Sequence, residues 1–455
     1  MAPPDATLAL PVANHYPGSA SIAADGVRAA QVGWQDHFAD PRLQGLIAQA
    51  LQNNRDLRIA ALRVQEAAAA YGIQRADRYP TVGLGADASR GRVPGDLNAS
   101  GQPVTASQYQ VGLGTSTWEL DFWGRVRSLQ DAALQNYLAT DEARKAVELA
   151  LVAQVADGYL LLRELDERVV LARRSIASRE ESFRIFSRRH EVGAISRLEL
   201  TQVQTLLAQA RLLGAQLEQA RAAQAHALTR LVGSSIDPTL MPSSFDDTAV
   251  MQMLQPGLPS DLLVDRPDII AAEHRLRATN ANIGAARAAF FPRITLTGSV
   301  GTASAQLDGL FEGASRAWAF APSLSIPIFD AGRNRAGLQL AQVRRDLAVA
   351  EYDKAVQNAF RDVSDALSAQ QWLAEQLRIQ QDSLAAQTER ARLATLRYDN
   401  GAAAFLEVLD AQRDLLASEQ QLVQTRRALL SARVGLYTAL GGGSQRLARS
   451  EQPVN

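Results

Sequence analysis

Val147, Leu151, Val155, Tyr159 and Leu162 recur at steps of three or four residues, which marks one face of an α-helix. Val356, Phe360, Val363 and Leu367 keep nearly the same phase later in the chain. No proline interrupts the surrounding stretches, Arg125 to Arg189 and Arg333 to Tyr398. Each predicts one helix of about 65 residues, a path of about 100 Å. An ordinary globular helix has about 11–12 residues. Glu191-Val192-Gly193 and Asp399-Asn400-Gly401 end the two runs, and Gly is the usual residue where a helix stops and reverses. A second helical pattern follows each stop, Ile195 to Leu231 and Ala404 to Leu440. The two stretches predict helical hairpins packed along an Ala/Leu seam.

Ahead of each hairpin the period changes to two. Val82, Leu84, Ala86 and Ala88 alternate with Thr81, Gly83, Gly85, Asp87 and Ser89. Ile294, Leu296 and Val300 alternate with Thr295, Thr297, Ser299 and Thr302. Trp318, Phe320, Leu324, Ile326 and Ile328 alternate with alanines and serines. The segment Gln108 to Leu120 alternates less cleanly. Strand pairs are expected over 81–120 and 294–328, each with one apolar and one wet face. A helix precedes each pair, Pro41 to Asp77 and Arg266 to Ala289, ending before a proline.

The order of helix, strand pair and hairpin occurs twice, and residues repeat with it. The run from Tyr71 to Pro80 matches Ile283 to Pro292 at an offset of 212. Gly124-Arg125 matches Gly332-Arg333, Gly193-Ala194 matches Gly401-Ala402, Leu198-Glu199 matches Leu406-Glu407 and Gly233 matches Gly441, all at 208. Lys145 and Lys354, the only lysines, match at 209. So long a period is not a solenoid repeat but a tandem duplication of one large unit. The expected organisation is an N-terminal segment over 1–55 and a first repeat over 56–233 with its hairpin at 125–231. A link over 234–262, a second repeat over 263–441 with its hairpin at 333–440, and a tail over 442–455 follow.

Composition narrows the class. No apolar run of 18 residues exists, so no transmembrane helix is expected. Thr7 to Ala13 is too short for a secretory leader, is interrupted by Pro11 and lacks a basic start. Neither observation bears against a β-barrel. Trp118, Phe122 and Trp123 lie where a strand ends, and Tyr79, Phe290 and Phe291 where strands begin. Such clusters are read either as interfacial girdles of a membrane barrel or as the aromatic core of a soluble sheet. Four strands cannot close a barrel, which needs about 8. Two chains would supply eight and three would supply twelve.

A formal charge of −1, from 47 basic and 48 acidic residues, removes the electrostatic case for nucleic-acid binding. With no Cys there is no disulfide, thiol nucleophile or Cys metal site. The five His, at 15, 37, 190, 226 and 274, show no metal-ligand spacing. Gly112-Leu113-Gly114-Thr115 lacks the GK[ST] of a phosphate loop. No catalytic constellation is expected, and the chain is not read as an enzyme.

Pro256-Gly257-Leu258-Pro259-Ser260-Asp261-Leu262-Leu263, Arg266-Pro267-Asp268-Ile269, Ala272-Glu273-His274 and the run Ile283 to Pro292 carry a resemblance. So do Trp34, Phe38-Ala39-Asp40-Pro41, Asn54-Arg55-Asp56-Leu57, Trp118 to Arg125, and Leu409-Asp410-Ala411-Gln412-Arg413. Together these span Trp34 to Gly443. The chain resembles the outer-membrane factor family of TolC-like efflux ducts, and within it the OprM-type branch. The resemblance implies a mixed α+β membrane protein, a homotrimer with four strands per chain in one 12-stranded β-barrel. A long periplasmic α-helical barrel continues it, with an equatorial domain built from the N-terminal segment, the link and the C-terminus. The implied function is the passive exit duct of a tripartite RND-type efflux pump in the Gram-negative outer membrane. A periplasmic adaptor and, indirectly, an inner-membrane RND transporter would be its partners, and outer-membrane lipids its surroundings. No cofactor is implied except an N-terminal lipid anchor. Members of the branch usually begin at a lipidated Cys, where this chain has Met1-Ala2-Pro3-Pro4-Asp5. The start is read as one with the lipid site replaced, the alternative being an unlipidated member.

A passive duct needs a closable end, and the hairpin tips are the candidates. Leu406 and Asp410 stand at i,i+4, and Glu407 and Asp410 at i,i+3, on neighbouring positions of one helix face. Three chains would bring six carboxylates to one constriction, where like charges raise apparent pKa values, acids favour cations and a leucine ring closes by dewetting. The resemblance places the periplasmic gate on these residues and Tyr398. Asp410 is Gln202 in the first copy, so the copies differ by one charge there. The alternative is an ordinary solvated helix face. Arg188, Arg189 and Arg397 are candidates for tethering neighbouring hairpins, or are surface arginines. Val192, Gly193, Ala194, Gly401 and Ala402 are the candidate adaptor-docking tip, and equally serve as helix-ending turns. Two rival readings stand beside this one: a soluble coiled-coil scaffold such as the adaptor itself, and a duct for protein secretion.

Overall fold

The structure is a computed structural model that describes residues 3, 11–13, 15–16, 27–236, 254–255, 257 and 259–444. The start that bears on lipidation, apart from Pro3, most of the link and the tail from 445 lie outside the described residues. In chain order the elements are β1 (Val27–Arg28), α1 (Trp34–His37), α2 (Pro41–Asn53), α3 (Arg55–Ala76), β2 (Val82–Val93), β3 (Val104–Glu119), α4 (Arg125–Glu191) and α5 (Arg197–Val232). There follow β4 (Leu254–Gln255), α6 (Leu262–Asp265), α7 (Pro267–Ala288), β5 (Arg293–Ser304), β6 (Arg316–Ser325), α8 (Arg333–Asp399) and α9 (Phe405–Ala439). The chain divides into two compact units. One is built on Arg63–Asp141 and Ala271–Tyr352, the other on the described residues of Leu10–Leu62, Glu142–Ile270 and Asp353–Asn455. Among the described residues no helix is long and apolar enough to cross a membrane, and no cluster of His, Asp and Glu could hold a metal.

The first unit holds the four long strands, β2, β3, β5 and β6. They form one antiparallel sheet in the order β2-β3-β5-β6, so the two strand pairs join through β3 and β5. β2 and β6 keep one unpaired edge each. A register shift between Thr115 and Trp118 breaks β3, with Thr117 at a φ of 30°. This bulge is why the segment from Gln108 alternates poorly. β6 ends at Ser325 rather than at Ile328, because Pro327 has no N–H for a ladder. Glu119 closes the passage from β3 to α4: Arg125 donates to its two oxygens at 2.9 and 2.8 Å, and Arg293 pairs with it at 2.7 Å. The Trp123 ring stacks on Phe291 at 4.8 Å and its Nε1 donates to the Pro292 carbonyl at 2.8 Å. Tyr79, Phe122 and Phe290 are exposed, as a girdle requires and a buried aromatic core does not allow.

The second unit holds the main core. Phe38, Leu43, Leu46, Ile47 and Ala50 of the α1–α2 region pack on Leu151, Val155 and Tyr159 of α4, Leu228 of α5 and Val434 of α9. Asp40 caps α2 through the Arg42 N–H at 2.9 Å, and its other oxygen accepts from the Tyr159 hydroxyl at 2.6 Å. The helix expected over Pro41 to Asp77 breaks at Asn54. That side chain accepts from the Leu57 N–H at 2.9 Å and donates to the Leu231 carbonyl at 2.7 Å. A short amide that bonds the backbone on both sides competes with helix continuation.

The second copy repeats the device. Arg266 Nη1 donates to the Ala439 carbonyl at 3.0 Å, the counterpart of Leu231. Gly233 and Gly441 end α5 and α9 with φ of 77° and 71°, and a Cβ on either would strike backbone, at Asn53 and Asp265 respectively. Arg266 also binds Asp268 at 2.7 Å and Asp362 at 3.4 Å. Burial pulls its pKa down, but these carboxylates outweigh that and hold it above the usual range. α4 and α8 contain 67 residues each, so their equivalence stays at 208 throughout. Lys145 and Lys354 therefore stand one residue out of register and are not counterparts.

The N-terminal segment, link and C-terminal region meet in this unit. β1 pairs in parallel with β4, Tyr437 Oη donates to the Val32 carbonyl at 2.9 Å and the Gly443 N–H to Ala29 at 2.9 Å. His37 lies flat on Tyr437 with centroids 4.2 Å apart, and neither of its ring nitrogens has a hydrogen-bond partner.

Candidate functional site

Both long helices end in the same way. Gly193 and Gly401 take φ of 72° and 71°. The Ala194 N–H donates to the Arg189 carbonyl, and the Ala402 N–H to Arg397, each at 2.8 Å. These are Schellman closures, open only to a residue tolerant of the left-handed region. Val192, Gly193, Ala194, Gly401 and Ala402 are all exposed around them.

Past the turns the copies diverge at one hydroxyl. Ser196 opens α5 with a capping box: its Oγ accepts from the Glu199 N–H at 3.2 Å, and its own N–H donates to the Glu199 carboxylate at 2.8 Å. The second copy has Ala404 at that place, and α9 begins without a side-chain cap. Glu407, the counterpart of Glu199, is left to accept from Arg397 Nη1 at 2.6 Å. Arg189, the counterpart of Arg397, donates instead to Tyr398 Oη at 2.7 Å, joining α4 of the first hairpin to α8 of the second. Rings reinforce this link. Phe186 lies 4.5 Å from Phe405, and Tyr398 lies 4.9 Å from Phe405. Buried Arg179 donates to the Leu409 carbonyl at 3.1 Å, a bond from α4 of the first hairpin to α9 of the second. Burial and then the charge of Arg413 lower the Arg179 pKa, with Asp410 acting the other way.

The candidates thus separate. Arg189 and Tyr398 meet beside Phe405, and Arg397 pairs with Glu407. Asp410 lies one turn along α9 and pairs with Arg413 at 3.1 Å. Leu406 is exposed. Arg188 pairs with Glu191 of its own helix at 2.9 Å and Arg397 stays within its own hairpin, so of the three arginines Arg189 bridges the hairpins of the chain. The acids expected to crowd at the constriction each carry a guanidinium from their own chain, which offsets their repulsion. Phe186, Phe405 and Arg179 were not singled out from sequence. The Ser196–Glu199 box was readable from its spacing, and Ala404 in its place was the signal that the copies diverge here.

The chain matches the family model of the outer membrane efflux protein over residues 46–234 and 258–442. It is 44% identical over 444 residues to outer membrane protein OprJ of Pseudomonas aeruginosa, covering 97% of this chain and 92% of that protein. It is 46% identical over 427 residues to the toluene efflux pump outer membrane protein TtgF of Pseudomonas putida, covering 94% and 88%. Among solved structures it is similar to the open state of the Neisseria gonorrhoeae MtrE outer membrane channel, with a TM-score of 0.88, 38% identity and 98% of both chains covered. A membrane protein from Pseudomonas aeruginosa matches with a TM-score of 0.92 and 43% identity over 97% of both chains.

Proposed function

Because this chain belongs to the outer membrane efflux protein family, we propose that three copies close their sheets into one barrel whose helical continuation is gated at the hairpin tips. The protein is an outer-membrane efflux duct. Efflux, rather than protein secretion or a soluble scaffold, is what this membership carries. The observation behind the assembly is the sheet itself: four strands with unpaired edges on β2 and β6. Closure needs about 8 strands or more, and three copies supply twelve.

At the gate, Leu406 narrows the opening and excludes water, while Glu407 and Asp410 bias it toward cations. Arg189 and Tyr398 hold the second hairpin against the first, and the pairs Arg397–Glu407 and Asp410–Arg413 keep the acids from repelling one another. Opening breaks these bonds without rebuilding the hairpins. The exposed turns at Gly193 and Gly401 receive the adaptor, and an inner-membrane RND transporter drives the flow. Cargo follows the transporter; the names of relatives such as the toluene pump protein favour small organic molecules. Electron microscopy of the detergent-purified protein without imposed symmetry tests the assembly. A threefold tube supports it, and a twofold tube or detergent-free rods would overturn it.

A further inference from the structure

The register of the four-stranded sheet sorts its residues onto two faces. Leu84, Leu113, Val300 and Trp318 pair across all four strands in one row, and Phe320 and Leu324 share their face. Leu84 and Trp318 are 76% and 79% exposed. The other face carries small and polar residues such as Gly85, Asp87, Gln110 and Ser299. In a closed barrel the first face meets lipid and the second meets the water of the duct.

The lipid-side face changes character at the end remote from the helices. β2 follows α3 and runs towards the loop at 94–103. On this face Leu84, Ala86 and Ala88 are succeeded by Arg90 and Arg92. β6 begins beyond its own loop with Arg316, on the same face as Trp318. Ser107 stands directly across from Arg90, and Thr105 from Arg92. Residues two apart on a strand are about 7 Å apart, and cross-strand Cβ atoms about 5 Å apart. Two guanidiniums and two hydroxyls therefore share one patch. All three arginines are exposed, and their side chains have no hydrogen-bond or ion-pair partner among the described residues. No acid occupies the lipid-side positions of the four strands. Asp96, Asp308 and Glu312 lie in the loops beyond and pair with none of the three. Arg293, on the duct-side face, differs in being neutralised by Glu119. A charge on the lipid face is costly at the bilayer midplane and nearly free at its edge, so the arginines mark the level of the outer headgroups.

We propose that Arg90 and Arg92, with Ser107 and Thr105 across the strand pair, bind a phosphate of the phosphorylated glycolipid that forms the Gram-negative outer leaflet. Guanidinium forks match phosphate oxygens bidentately, and the hydroxyls donate to the oxygens left over. The acyl chains of the same lipid lie on Leu84, Ala86, Val111 and Leu113, nearer the helices on the same face. Charge complementarity selects the headgroup, since three unpaired cations stand on a face without acids. The apolar residues beside them select a lipid over a free ion. Arg316, at the opposite edge of the sheet, adds a separate single contact. The inference rests on the reading of the sheet as barrel wall and assigns the lipid which that wall holds.

The test uses the full chain in detergent, read by native mass spectrometry, with diphosphoryl lipid A as the probe. The unaltered protein should bind it at least tenfold more tightly than lipid A stripped of its phosphates. A smaller preference overturns the proposal without recourse to any variant. Arg90→Gln with Arg92→Gln should raise the Kd for the diphosphoryl lipid at least tenfold while the assembled mass stays unchanged. Arg90→Lys with Arg92→Lys, which keeps the charge and loses the fork, should fall between the two. Arg184→Gln with Arg378→Gln removes the same charge from the long helices and should bind as the unaltered chain does. An equal loss there would trace binding to net charge and overturn the site. Displacement of the lipid by equimolar inorganic phosphate would overturn the choice of a lipid. If the Gln pair assembles and binds lipid A undiminished, the site is overturned and the barrel stands. If the unaltered chain carries no detergent belt and forms no assembly, the barrel falls and the site with it.

Discussion

Arg189 of the first hairpin donates a 2.7 Å hydrogen bond to the hydroxyl of Tyr398 in the second. Tyr398→Phe keeps the ring against Phe405 and removes only the acceptor. An exposed, charge-assisted bond of this kind contributes about 1 kcal/mol. Single-channel recording in planar bilayers should show a several-fold rise in open probability, and an unchanged trace would remove this bond from the latch.

Glu407 and Asp410 are the acids of the proposed gate, each beside a guanidinium of its own chain. Replacing both by Ala should raise conductance and reduce cation selectivity in the same recordings. The gate assignment fails if neither quantity moves.

The Gly401 turn is exposed, and a Cβ there meets no neighbour. Gly401→Glu costs about 1 kcal/mol of backbone strain at its positive φ, too little to prevent folding. Adaptor-dependent efflux should weaken while native mass stays that of the assembled protein. Full efflux would exclude this turn as the docking point.

Burial lowers the His37 pKa from 6.5 to about 4. The unfolded chain takes up this proton as pH falls through about 6.5, whereas the folded chain does so only near 4. Stability is therefore complete above pH 6.5, declines between 6.5 and 4, and is level below, a loss of about 3 kcal/mol per chain. His37→Phe, which retains a ring on Tyr437, should flatten the melting temperature across that range. Parallel pH curves for the two proteins would exclude His37 as the cause.

Much of the architecture was legible because long helices and alternating strands are local patterns. Gly193 and Gly401 marked both reversals, since a left-handed turn names its residue. Asn54 misled the reading of a single helix from Pro41, because its partner Leu231 lies far along the chain. The matching of Lys145 with Lys354 failed for a related reason: identity was taken for equivalence, and only equal helix lengths fix the register. At the gate, charge spacing drew notice to Glu407 and Asp410. Phe186, Phe405 and Arg179 went unread, because aromatic and arginine residues on a long helix acquire meaning only from what stands opposite.

The Arg189–Tyr398 bond sets how many bolts the proposed door has. The counterpart of Tyr398 in the first copy is His190, which meets the Ile195 carbonyl of its own turn, and Arg397 pairs instead with Glu407 of its own hairpin. The proposed latch therefore occurs once per chain, so a ring of three chains carries three bolts instead of six. If each bolt is undone independently about one time in ten, the ring stands open about once in 10³ rather than once in 10⁶, a difference of about 4 kcal/mol. A door of three bolts stays shut at rest and remains within reach of one docking event.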